Sequence, residues 1–263
     1  MTSNGPSDGN SPGAIRAIYR YPVKGLSPER LARTHLTIGA TLPGDRLYAI
    51  ANGPSGFDPE APRYRPKIHY LMLMKNERLA TLRSRYDDAS STFVVDYEGR
   101  EAARGNLHTA EGRAAIERFF ATFSAADLRG PPRVLHAPGF SFSDVASKVV
   151  SIINLASVAA LEDIIGAPVD PLRFRANLYL SGWPAWCELD LVGRRLAIGE
   201  SARLKIVKRI VRCAATEVDP DTGMRDLAIP QVLLRHQGHA DFGVYSEVIA
   251  AGDIAPADPV RSL

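Results

Sequence analysis

A mainly β protein with few helices is the fold class this sequence predicts, and three observations carry that expectation. Short runs of β-branched and aromatic residues recur in both halves of the chain. Clusters of Gly, Pro, Asn and Asp interrupt them at short intervals. Only two stretches switch to helical spacing. Strands that follow one another without intervening helices pair most simply into antiparallel sheets or barrels. With 263 residues, the chain is long enough for one large or two ordinary domains and buries about 70–75% of its unfolded surface.

Residues 1–13 are rich in Ser, Asn, Gly and Pro and lack the apolar core of a signal peptide, so they read as a disordered leader of a cytoplasmic protein. Ala14 to Tyr21 places Ile15, Ala17, Tyr19 and Tyr21 on one alternating face and then meets Pro22 and a turn, which predicts a strand. Leu36–Ile38, Arg46–Ala51, His69–Met74 and Thr92–Tyr97 extend the series. Over Thr109–Phe123 the apolar residues Ile116, Phe119, Phe120 and Phe123 take helical spacing, suiting a connector between domains. Leu155–Ile165 is the clearest helix, with Asn154 to cap it and Gly166 and Pro168 to stop it. Leu178–Leu180, Leu189–Leu191, Leu196–Ile198, Leu204–Val211 and Gly243–Ile249 return to strand character. The expected division is a leader over 1–13, an N-terminal domain over 14–125 and a second domain over 126–263.

Composition narrows the function classes. The net charge, 32 − 29 = +3, is too small for a dedicated nucleic-acid binder. The longest mostly apolar stretch, Val149 to Leu161, is interrupted by Ser151, Asn154 and Ser157 and falls short of the roughly 20 residues a membrane span requires. Two cysteines, Cys187 and Cys213, support neither a disulfide framework nor a structural zinc site, and four-thiolate iron–sulfur clusters are excluded by count. Nucleotide-loop, zinc-peptidase and serine-hydrolase motifs are absent from the sequence. His236 and His239 lack a third ligand nearby and read as a loop.

The segment before Cys213 carries five cations, Arg203, Lys205, Lys208, Arg209 and Arg212, without an acid. Nearby positive charge favours the thiolate, which is both the nucleophilic and the metal-binding form. Periodicity alone favours a buried cysteine in a solvated basic strand. Arg212-Cys213 followed by Glu217-Val218-Asp219-Pro220-Asp221-Thr222-Gly223 resembles the signature of MOSC domains, named after the C-terminus of molybdenum cofactor sulfurase. Tyr21-Pro22-Val23-Lys24-Gly25 and Gly44-Asp45-Arg46 resemble the β-barrel domain that precedes MOSC domains in the amidoxime-reducing family. Phe174-Arg175-Ala176-Asn177, Phe242-Gly243-Val244-Tyr245 and the run from Gly252 to Val260 are similar to further landmarks of that family.

The resemblance implies a β-barrel MOSC domain preceded by a smaller, barrel-like N-terminal domain. It also implies a molybdenum cofactor, a molybdopterin whose metal takes Cys213 as a ligand, as suits a soft thiolate. Its implied contacts are Lys24 and Arg46 from the first domain, and Asn154, Ser157, Arg175, Asn177 and Arg212 from the second. The expected activity is reduction of N-hydroxylated or related N–O or S–O small molecules, with electrons from a separate ferredoxin- or flavin-type reductase and with neither nucleic acid nor membrane as partner. A non-redox cofactor carrier or a sulfur-transfer protein using Cys213 is the alternative. Three departures stand out: Gly25 replaces a family Ser, Ala176 replaces a Pro, and the basic run Arg63 to Lys67 does not match the reductase pattern.

Overall fold

The computed structural model describes residues 12–263, so most of the expected leader lies outside the described residues. The first half contains β1 (Gly13–Arg20), β2 (Glu29–Leu31), β3 (Thr34–Leu36), β4 (Ala49–Ala51), β5 (Arg83–Asp87), β6 (Thr92–Tyr97), β7 (Arg100–Asn106) and α1 (Ala110–Phe123). The second half contains β8 (Arg133–Leu135), β9 (Val150–Asn154), α2 (Leu155–Ile165), β10 (Leu178–Ser181), β11 (Arg195–Ile198), β12 (Ala202–Val211), α3 (Ile229–Gln237), β13 (Asp241–Ala250), β14 (Gly252–Ile254) and β15 (Pro259–Ser262). The molecule is mainly β, as the sequence predicts.

Seven strands close a barrel in the order β1, β10, β9, β13, β12, β11, β15 and back to β1. Every pairing is antiparallel except β9 with β10. Closure leaves no open edge among these staves. The inward residues are the alternating apolar ones: Ile15 and Ile18 on β1, Ile152 on β9, Leu178 and Leu180 on β10, Leu204 and Ile206 on β12, and Val244 and Val248 on β13, all buried. One stave, β1, comes from the start of the chain. The barrel is therefore complete only after the polypeptide has left, built the other core and returned.

That other core gathers Val23, Tyr48, Ile50, Leu71, Phe93, Val95, Ile116 and Phe120. Around it lie the meander β5–β6–β7, the pair β4–β8 and α1. Helix α1 begins at Thr109, whose hydroxyl accepts the Gly112 N–H, and it rests directly on β7. A Cβ at Gly112 would come within 2.0 Å of the Asn106 carbonyl oxygen. Helices α2 and α3 cover the outside of the barrel through Val158, Leu161, Ile229 and Leu233.

Several local expectations are corrected. Leu189–Leu191 lies in a 3₁₀ helix, Cys187–Leu191, entered from Trp186 in the left-handed region. His69–Met74 is not a strand: Pro66 leads into a 3₁₀ turn at Lys67–His69, after which only Tyr70 bridges to Ala51. Arg46 sits at φ 53° before the short β4, and Leu36 ends its strand, because Thr37 to Ala40 turn. Residues 229–237, left unassigned by the sequence reading, form α3, so His236 lies in the last turn of a helix.

Candidate functional site

A cavity of about 320 Å³ opens between the two cores. The first half contributes Lys24 and Arg46 from the loops that follow β1 and precede β4, with Lys67 from the 3₁₀ turn. The second contributes Asp144, Ser151, Arg175, Asn177, Lys208, Arg212, Cys213 and Tyr245. Six residues singled out from the sequence, Lys24, Arg46, Arg175, Asn177, Arg212 and Cys213, thus surround one space.

Lys24 is almost fully buried and donates to the Phe142 carbonyl at 2.9 Å and to the Asp144 carboxylate. Burial pushes its ammonium below the ordinary lysine value, and Asp144 opposes that shift. Burial would likewise raise the Asp144 carboxyl, but Lys24, Lys67 and Arg46 outweigh it and hold it well below the usual carboxylate range. Arg46 pairs with the buried Asp45 and donates to the Arg175 carbonyl at 3.1 Å. Asp45 in turn accepts the Tyr21 N–H at 2.9 Å.

Arg175 is the least satisfied of the group. Its guanidinium lies 4.2 Å from the Tyr21 ring centroid, and its buried Nη2 has no hydrogen-bond partner among the described residues. Burial, with Arg46 adding repulsion, lowers it from the ordinary arginine value. Arg212 is fixed on one side only. Its Nε donates to the Phe242 carbonyl at 2.7 Å and Nη1 to the Phe174 carbonyl at 2.9 Å, while the buried Nη2 has no partner among the described residues. The close approach requires a glycine at 243, where a Cβ would meet the Ile152 carbonyl at 2.5 Å and Arg212 Nη2 at 3.2 Å. Cys213, half-buried at the end of β12, accepts from Lys67 Nζ at 3.1 Å.

The segment after Cys213 works as a clamp. Asp219 Oδ1 accepts from the N–H groups of Asp221 and Thr222 and from the Thr222 hydroxyl, which sets the turn. Its Oδ2 binds Arg173 at 3.0 Å, and Asp226 binds the same guanidinium. Arg173 therefore locks the Cys213 loop to the 3₁₀ turn that carries Arg175.

Two family models match the chain, a MOSC domain over residues 137–261 and a MOSC N-terminal beta barrel domain over residues 12–129. The chain carries a MOSC domain preceded by a MOSC N-terminal beta barrel domain. Mitochondrial amidoxime reducing component 2 of Rattus norvegicus is 34% identical over 132 residues, 44% of this chain and 38% of that protein. Mitochondrial amidoxime-reducing component 1 of Homo sapiens is 32% identical over 124 residues, 43% and 36% of the two lengths. The matched region thus spans less than two fifths of either curated relative. Among solved structures, the YUAD protein from Bacillus subtilis aligns over 96% of both chains with a TM-score of 0.45 and 12% identity.

In this MOSC chain two residues selected from the sequence lie elsewhere. Asn154, which ends β9, and Ser157, in the first turn of α2, are fully buried and are not among the residues that line the cavity. Asn154 caps the helix through Ala156 N–H and donates to the Pro184 carbonyl, while the Ser157 hydroxyl binds Glu188 at 2.8 Å and accepts the Trp186 N–H. Their polar groups are used up holding the 3₁₀ helix of Cys187–Leu191. Asn177 lines the cavity but is also occupied, accepting from Ser151 N and Oγ and donating to the Tyr19 carbonyl. Asp144, Lys67, Ser151, Arg173, Lys208 and Tyr245 also line the cavity and are not among the site residues expected from the sequence. For Lys67 the signal was the basic run around it; Asp144 had none. Among the described residues no cluster of three or more His, Cys, Asp or Glu side chains could hold a metal alone, and no helix is long and apolar enough to cross a membrane.

Proposed function

We propose that this chain is a molybdenum-cofactor oxidoreductase that reduces N-hydroxylated or related N–O and S–O small molecules, with Cys213 as a ligand to the metal. The observation that carries the reading is a pair of buried guanidinium nitrogens, Arg175 Nη2 and Arg212 Nη2, left without partners among the described residues on two arginines that line one cavity. Buried donors are almost always paired, and an unpaired one costs about 1–3 kcal/mol. An anionic ligand rich in acceptors, such as a phosphorylated pterin, removes that cost. The names of the curated relatives, amidoxime reducing components, support the reaction class.

Arg175, Arg46 and Lys24 would hold the anionic end, Arg212 would orient the heterocycle, and the Cys213 thiolate would ligate the soft metal. When bound, the group supplies a two-electron redox centre. Reduction of N–OH to N–H consumes two electrons and two protons and releases water. Asp144 keeps the cluster of cations compatible with one another before the ligand enters. Electrons come from a separate ferredoxin- or flavin-type reductase.

The test is protein purified from a molybdate-replete host, assayed for molybdenum, pterin and turnover of an amidoxime with a supplied reductase. Cys213→Ser should abolish turnover and lower bound molybdenum while leaving the thermal midpoint of the apo form nearly unchanged. Normal molybdenum content and rate in that variant would overturn the reading. Molybdenum-free protein carrying a persulfide on Cys213 would replace it with the sulfur-transfer alternative.

A further inference from the structure

The cations of the cavity wall fall into two sets. In one set, Lys24 is engaged by Asp144, Arg46 by Asp45 and Arg173 by Asp219 and Asp226, while Arg175 and Arg212 each keep one buried nitrogen without a partner among the described residues. Around Cys213 the pattern changes. Lys67 Nζ is 3.1 Å from Cys213 Sγ, and Lys208 Nζ lies 5.5 Å from the ring centroid of Tyr245. All four residues line the cavity. Neither ammonium is ion-paired with a carboxylate among the described residues. Asp144, which also acts on Lys67 at longer range, is bonded to Lys24.

Both lysines are placed by local devices. Along β12 the register with β13 slips between Ile206, opposite Ser246, and Lys208, opposite Tyr245, so that Val207 is an extra residue. Such a bulge re-aims the side chains that follow it, and here it sets Lys208 beside Tyr245 at the cavity. Lys67 begins a 3₁₀ turn after Pro66. The preceding Tyr64 hydroxyl donates to the Asp144 carbonyl at 3.1 Å, which ties this run to the rim. Two ammonium groups from opposite halves of the chain, one on the Cys213 sulfur and one on the Tyr245 ring, therefore line the same cavity without a carboxylate partner among the described residues.

We propose that Lys67 and Lys208 form a substrate subsite for a small organic anion, a carboxylate-bearing N–O or S–O compound, whose reducible end is presented at Cys213. The inference rests on the reductase reading above and adds the charge of the substrate. Lys24, Arg46 and Arg173 already have carboxylate partners, whereas Lys67 and Lys208, both in the cavity wall that holds Cys213, have none among the described residues and are left for a second anion. Charge-assisted contacts of this kind discriminate by roughly tenfold or more against a neutral analogue.

The experiment compares benzamidoxime with 4-carboxybenzamidoxime as substrates of the holoprotein, with reduced benzyl viologen as donor. In parallel, holoprotein melting is followed with the non-reducible pair benzamide and benzoate. The wild type should favour the carboxylate in kcat/KM by roughly tenfold, and benzoate alone should raise the melting midpoint. Lys67→Met and Lys208→Met should each retain molybdenum and pterin, bring the kcat/KM ratio toward unity and remove the benzoate shift. Equal kcat/KM values in the wild type, a preference that survives both substitutions, or loss of the cofactor from both variants overturns the inference. Absence of turnover with either amidoxime overturns the reductase reading instead, and the benzoate titration then decides the subsite by itself.

Discussion

Removing either partner of the Lys24–Asp144 pair should not cost the same. Lys24 is 5% exposed whereas the Asp144 side chain is 47% exposed. Without Asp144 the Lys24 ammonium stays buried among Arg46 and Lys67, whereas without Lys24 the carboxylate still has those cations and water. Asp144→Asn should therefore destabilise the apo protein by about 1–3 kcal/mol, and Lys24→Met by clearly less, measured by urea unfolding. Glu188 gives a second test. It is fully buried, and burial raises its carboxyl despite hydrogen bonds from Ser157 and Asn154. An unfolded chain releases this proton near pH 4.3, so the folded form binds it more tightly. The resulting stability is fully present below that value and is lost as pH climbs through the folded one. Glu188→Gln should accordingly lose less melting temperature than the wild type between about pH 5 and pH 8. That Cys213, Lys24, Arg46, Arg175 and Arg212 surround one cavity was anticipated through the family resemblance, since each stands in one of its short motifs. Asp144 was not, since its partner is 120 residues away. Ser157 was misplaced because a helix start looks the same whether it faces a cavity or a buried carboxylate.

At the scale of elements, the close approach of β13 to β9 fixes Arg212. Gly243 has φ 73°, and an added Cβ would meet both the Ile152 backbone and the Arg212 guanidinium. Gly238, the cap of α3, has a similar φ of 76° but open space around it. Gly238→Ala should cost about 1–2 kcal/mol, the left-handed penalty alone. Gly243→Ala should add overpacking of about 1–3 kcal/mol and also lower retained molybdenum, as read by urea unfolding and metal analysis. Periodicity recovered β6, α2 and most of β12, whose apolar residues alternate or recur without competing signals. It failed at Leu189–Leu191 and His69–Met74, where short apolar runs are equally compatible with 3₁₀ turns and Pro66 or Trp186 decides the outcome. For α3 the signals were present, Pro230 at its start and Gly238 at its end, but the polar Gln231, Arg235, His236 and Gln237 diluted the apolar spacing. The bulge at Val207 leaves no mark in the sequence, because pairing register belongs to two strands and not to one.

At the scale of the whole molecule, the β-rich class was legible from the alternating runs, while closure of the barrel by β1 was not, since it joins residues some 160 positions apart in sequence. That return path makes the cavity an interface between two cores, so a ligand held there binds only the assembled protein. Such a ligand stabilises the native state by RT ln(1 + [L]/Kd), about 2.7 kcal/mol at a hundredfold excess over Kd. Arg175 isolates this linkage better than Arg46. Arg46→Ala would strand the buried Asp45 carboxylate and weaken the apo form as well. Arg175 has a stacking contact with Tyr21 and an Nη2 without a partner among the described residues, so the apo protein gives up little when the guanidinium is removed. Arg175→Ala should therefore leave the apo melting midpoint unchanged or slightly higher, by relief of its repulsion with Arg46, while the holo form loses both pterin and melting temperature. The measurement is pterin fluorescence after release, with thermal melts of both forms. Equal destabilisation of apo and holo protein with pterin content intact would make Arg175 a structural residue and remove the observation on which the cofactor reading rests.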